Sequence, residues 1–144
     1  MRDYALGTTF DLKFTTRAFA TGVPTTMAGS PTISAYPDNS TTEITAGITL
    51  TYTTGFDGVA GLCNVRVVAT SGNGYAAGSN YALVLTGTPT VGGVSIVGEV
   101  IGEFSLEAQS PLRPTTAGRT LDVTATGGAG IDWANVENPT TIAK

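Results

Sequence analysis

The chain contains no histidine, one cysteine and one tryptophan in 144 residues, and only 12% of those residues are charged. Without histidine it lacks the commonest general base and the commonest metal ligand. The lone cysteine, Cys63, excludes an intrachain disulfide and any multi-cysteine metal site. The seven basic residues are scattered and the net charge is −4. Nucleic-acid binding by phosphate neutralisation needs a clustered basic face, and a membrane surface needs a polybasic patch; neither exists here. No apolar run approaches the roughly 18–20 residues that span a bilayer. Met1–Gly7 lacks the apolar stretch of about 7–15 residues found in a signal peptide, so synthesis as a soluble cytosolic chain is expected.

Scarce charge leaves threonine, serine, asparagine and glycine to cover the surface, since an average globular protein carries about 25% charged residues. The same scarcity removes lysine and glutamate, which favour helix, while Thr, Val, Ile, Tyr and Phe favour a pleated sheet. Period-two alternation recurs along the chain. Phe10, Leu12 and Phe14 alternate with Asp11, Lys13 and Thr15, and Ile48, Leu50 and Tyr52 alternate with threonines. Cys63, Val65 and Val67 share one face, which makes Cys63 a buried, inert thiol. Tyr81, Leu83 and Leu85 follow the same rule, as do Ile96, Val100, Phe104 and Leu106 in a segment long enough for two strands. Gly98 and Gly102 on its apolar face mark a bulge or a close backbone approach.

Between these runs lies turn chemistry: Tyr36–Ser40, Gly55–Gly58, Ser71–Gly74 and Thr90–Gly93. Strands are expected near 8–16, 31–36, 43–53, 62–70, 80–87, 94–98 and 100–108. Seven short strands in about 100 residues point to an all-β, immunoglobulin-like β-sandwich. Tyr75 or Tyr81, near the entry to a late strand, is positioned for the tyrosine corner of such folds. Pro111 and Pro114 then force extended backbone and end the ladder. The expected organisation is a sandwich over residues 1–110 and an extended segment over 111–144 that has too few apolar side chains for its own core. That segment would dock on its own sandwich, on a neighbouring copy or on a partner.

The run from Leu112 through Arg113, Arg119, Leu121 and Val123 to Thr124, followed by Gly130-Ile131-Asp132-Trp133-Ala134-Asn135-Val136, resembles a junction in tailed-bacteriophage fibre proteins. There a compact β-domain hands over to a fibre shaft. The preceding part, including Ser71–Tyr75 and the strand to Glu107, resembles the immunoglobulin-like N-terminal domain of phage baseplate, tail or neck fibre proteins. The resemblance implies a virion location, homotrimeric assembly and no catalytic residues. From the residues themselves, the expected assembly contacts are Arg113, Arg119, Leu121, Val123, Ile131, Trp133 and Val136, with Trp133 either packing locally on the sandwich or anchoring a neighbouring subunit and the two arginines as ties. Members of that family commonly continue into a shaft and tip, whereas this sequence ends at Lys144, so a short attachment protein fits as well as a fibre.

Other chemistry is thinly represented. Glu99, Glu103 and Glu107 recur every four residues, or roughly 13 Å along a strand, which is too far for a glycosidase pair and reads as a solvated or subunit-facing row. Gly72, Gly74 and Gly78 precede a strand pattern and not a helix, so they make a turn and not a phosphate loop. Asp38, Asp57, Asp132 and Asn135 lack calcium-loop spacing, and Asn39-Ser40-Thr41 is an accidental glycosylation match in this context. The expected function is therefore that of a non-enzymatic virion protein without cofactors, forming or attaching a tail, neck or head fibre. Its partners would be other copies and phage neck, tail or baseplate proteins, not nucleic acid or membrane. The alternative is a carbohydrate- or host-receptor-binding module for host attachment, using Tyr36, Phe56 and Tyr75 as an exposed aromatic platform.

Overall fold

In the computed structural model, residues 2–108 are described. They form eight strands: β1 (Arg2–Tyr4), β2 (Thr9–Thr15), β3 (Ala28–Pro37), β4 (Ile48–Thr51), β5 (Leu62–Val68), β6 (Asn80–Val91), β7 (Val94–Ser95) and β8 (Val100–Leu106). Two sheets face each other, one ordered β2-β5-β4 and one ordered β1-β8-β6-β3 with β7 hairpinned onto β6. The expected all-β sandwich is what the chain builds. All pairings are antiparallel except that of β1 with β8, where Arg2–Tyr4 run alongside Phe104–Leu106.

Alternation decides which side chains meet between the sheets. Cys63, Val65 and Val67 of β5 and Tyr81, Leu83 and Leu85 of β6 all point inward and are buried. Phe104 lies at the centre of an aromatic cluster: Tyr81 stacks on it at 4.9 Å and Phe10 meets it edge-on at 4.9 Å. Tyr4 stacks on Phe10 at 3.9 Å, so three-residue β1 is held by ring contact as well as by backbone.

Of the two candidate tyrosines, Tyr81 is the one bonded to backbone just upstream. Its hydroxyl accepts from the Ala76 N–H at 2.8 Å and donates to the Ala76 carbonyl at 3.2 Å, tying the entry of β6 to the chain just upstream. Tyr75 is buried beside it, with ring centroids 5.3 Å apart, but its hydroxyl has no hydrogen-bond partner among the described residues.

Several expected boundaries move. The segment 43–53 is not one strand. Ile44 exchanges two backbone hydrogen bonds with Ala35 at the edge of β3, the chain turns through Thr45–Gly47, and only Ile48–Thr51 pairs with β5. One alternating run thus serves both sheets in turn. β6 extends to Val91, beyond the expected end near 87, and the hairpin to β7 turns on Gly92 and Gly93, both at positive φ. The run after Val94 divides as anticipated, with a turn at Ile96–Glu99 between β7 and β8. The register of β6 against β8 slips by one residue between Leu83 and Val84, and Gly102 lies there facing Leu12 of the opposite sheet. Ser71–Asn73 forms a 3-10 turn and not a hairpin, and a strand follows it.

Candidate functional site

The residues expected to make assembly contacts, Arg113, Arg119, Leu121, Val123, Ile131, Trp133 and Val136, lie outside the described residues, as does the boundary at residue 110. Within them, one surface stands apart in character. Exposed large hydrophobic side chains are few: Phe19, Val23, Val59, Val94, Val97 and Val100. Four of the six, Phe19, Val94, Val97 and Val100, line a single groove of about 770 Å³.

Its origin is local. β6 pairs with the inner edge of β8, but β1 covers the outer edge only along Phe104–Leu106, so no described strand pairs with Val100–Glu103 on that outer side. The β6–β7 hairpin and the Ile96–Glu99 turn form one wall. That turn is fixed by Gly98 N–H donating to the Leu85 carbonyl at 2.8 Å and by Leu85 N–H donating to the Glu99 carbonyl at 2.9 Å. The other wall is the chain leaving β2. Arg17 bridges to Pro24, and Ala18 N–H donates to the Val23 carbonyl at 2.9 Å. This tight loop projects Phe19, which remains 90% exposed. Phe14, Ile96 and Ile101 form the half-buried floor. Val94, Val97 and Val100 are 49%, 54% and 56% exposed, and Thr15, Thr16 and Ser95 also contribute to the lining. Isolated exposed hydrophobics are ordinary, whereas a contiguous set of them marks an interaction surface.

Two charges border this groove, Arg17 and Glu99. Arg17 donates through Nη1 to the Gly22 carbonyl at 3.0 Å, which stiffens the Phe19 loop. The ion pair found among the described residues is elsewhere, between Arg66 and Asp11 at 3.3 Å. There the Asn64 amide, donating to Asp11 at 2.8 Å, and Arg66 hold the Asp11 carboxyl below its usual range.

A second groove of about 660 Å³ separates the edges of β3 and β4. Its lining includes the buried Ser34, whose hydroxyl donates to Glu43 and also contacts Thr86 Oγ1 at 3.1 Å. The glutamate row is not maintained. Glu99 sits in a turn and Glu103 on β8, while Glu107, at φ 52, turns back so that its Oε1 accepts the Leu6 N–H at 2.9 Å. The proposed aromatic platform does not form either. Tyr75 is 2% exposed within the core, Tyr36 is a half-buried residue of β3, and Phe56 is half-buried under the Lys13 ammonium at 4.6 Å. Among the described residues no three His, Cys, Asp or Glu side chains gather as metal ligands. No helix among them is long and apolar enough to cross a membrane.

Sequence reasoning missed Phe19, Val94, Val97 and Val100 as a set. Phe19 carried a signal, being a large aromatic in a short Ala-Phe-Ala-Thr-Gly loop with no alternating neighbours. No protein-family model matches the chain, and neither a curated protein nor a solved structure matches it.

Proposed function

We propose that this chain is a non-enzymatic structural protein of a tailed-bacteriophage particle, forming or attaching a tail, neck or head fibre. The observation that carries the assembly role is the exposed apolar groove between the Phe19 loop and the Val94–Val100 wall. A permanently solvated surface of that kind carries an aggregation hazard, and an assembly partner removes it. The low charge agrees, because interface cores are depleted of charged residues. The phage context rests on the fibre-junction resemblance of residues 112–136.

Strand order supports the immunoglobulin-like part of the reading. With two-residue β7 counted as an extension of the β6 hairpin, the sheets contain the second, fifth and fourth strands and the third, sixth and seventh. The Tyr81 corner agrees. The departure is the first strand, which lies beside the last strand here and not beside the second. In this proposal the partners are other copies, as a homotrimer, and neck, tail or baseplate proteins. The chain is made in the host cytoplasm and resides in the virion. Mass spectrometry of purified particles tests it: peptides of this chain should appear at stoichiometry fixed relative to the other particle proteins. Recovery only in the particle-free fraction refutes it.

A further inference from the structure

We infer that the groove between β2 and β8 is a contact between copies of this chain, in which Arg17 of each copy pairs with Glu99 of a neighbour. The inference deepens the assembly reading and rests on it, because it names the occupant of the exposed surface. The argument is charge complementarity. Besides its apolar residues and the neutral Thr15, Thr16 and Ser95, the groove carries one cation and one anion, Arg17 and Glu99, and neither has an ion-pair partner among the described residues. A strongly acidic or basic partner would satisfy one of them and be repelled by the other. A second copy of the same surface satisfies both, since it offers a glutamate to the arginine and an arginine to the glutamate. In the proposed homotrimer Arg17 of each copy meets Glu99 of the next, which closes a three-membered ring. Phe19 and Val97 of adjoining copies then leave water together.

The uncovered stretch of β8 explains why the floor is available. Val100–Glu103 have no described strand on their outer edge, and nearby side chains such as Phe14 and Ile101 are only half-buried within a single copy. Phe19, at 90% exposure, contributes little to its own fold, so truncating it probes association without confounding stability.

The test is light scattering on the purified full chain across a concentration series. It compares wild type with Phe19→Ser, Arg17→Glu, Glu99→Arg and the double reversal Arg17→Glu/Glu99→Arg, with thermal melts of each. Wild type should self-associate, and Phe19→Ser should lose that association while matching the wild-type melting temperature at dilutions where wild type is monomeric. Each single reversal places like charges together and should weaken association about tenfold or more. The double reversal should return it to within about threefold of wild type, because the pair is restored with its signs exchanged. A wild-type chain that stays monomeric at its highest soluble concentration overturns the inference. So does association indifferent to Phe19→Ser and to Glu99→Arg, or singles that weaken with no rescue in the double. Association through another surface would leave the virion proposal standing, since particle composition tests that proposal separately.

Discussion

Tyr75 and Tyr81 lie in one aromatic cluster with ring centroids 5.3 Å apart, yet deleting their hydroxyls should have opposite effects on stability. Tyr81→Phe removes two hydrogen bonds to Ala76, one at 2.8 Å and one at 3.2 Å. At about 0.5–1.5 kcal/mol net each, with water able to reach exposed Ala76, the expected loss is about 1–2 kcal/mol. Tyr75→Phe removes a hydroxyl that is buried without a partner among the described residues, so the folded state stops bearing its desolvation cost. An unsatisfied buried group costs about 1–3 kcal/mol, and the expected gain is about 1 kcal/mol. Urea unfolding followed by circular dichroism reads both. With an m-value of about 1 kcal/mol/M, the midpoint should fall by roughly 1–2 M for Tyr81→Phe and rise by roughly 1 M for Tyr75→Phe. Nearly identical shape and shared neighbours make each variant the control for the other. A Tyr75→Phe midpoint below wild type would refute the reasoning, because it would mean that the hydroxyl is satisfied in the folded protein.

The same phenol makes stability fall at high pH. Burial, and secondarily the neighbouring Tyr81, push the Tyr75 pKa from 10.0 up to about 12. A folded-state pKa above the unfolded one means this contribution is intact below about pH 10 and is lost as pH rises through about 12. Unfolding midpoints measured from pH 9 to 12 should therefore decline less steeply in Tyr75→Phe than in wild type. Gly61→Ala should destabilise by about 2 kcal/mol or more in the same urea assay. The residue sits at φ +75, and a Cβ there would lie 2.5 Å from the Thr16 carbonyl oxygen and 2.7 Å from the Thr25 nitrogen. Cys63 is fully buried and its thiol is pushed up by that burial, so a maleimide should label it only after denaturation; labelling at native pH 7.5 within minutes would contradict the packing.

The inward faces were legible because a side-chain period of two is written directly in the residue order. Cys63, Val65 and Val67 were assigned to one buried face from alternation, and all three are fully buried. Turn chemistry was equally readable at Gly92-Gly93, where two adjacent glycines take positive φ to make the hairpin. The break within 94–108 followed from its glycines and its length. Three-residue β1 was not readable: Arg2-Asp3-Tyr4 is too short to display a period, and its parallel pairing depends on β8, a hundred residues away. The segment 43–53 misled because continuous alternation says which side faces inward but not which sheet a stretch joins.

By itself, then, the order of residues determined the class: alternating β-branched and aromatic side chains, scarce charge and punctuating glycines leave no stable alternative to a two-layer β structure. It also left the chain without histidine chemistry or a disulfide. What only the tertiary structure decided is the surface. Phe19 and Val97 are 78 residues apart in the chain and line one groove because β1 stops short on β8 and the β2 exit loop folds over the same side. Which of two neighbouring tyrosines finds a partner was likewise decided by geometry, since a hydrogen bond depends on fractions of an ångström that the residue order does not encode.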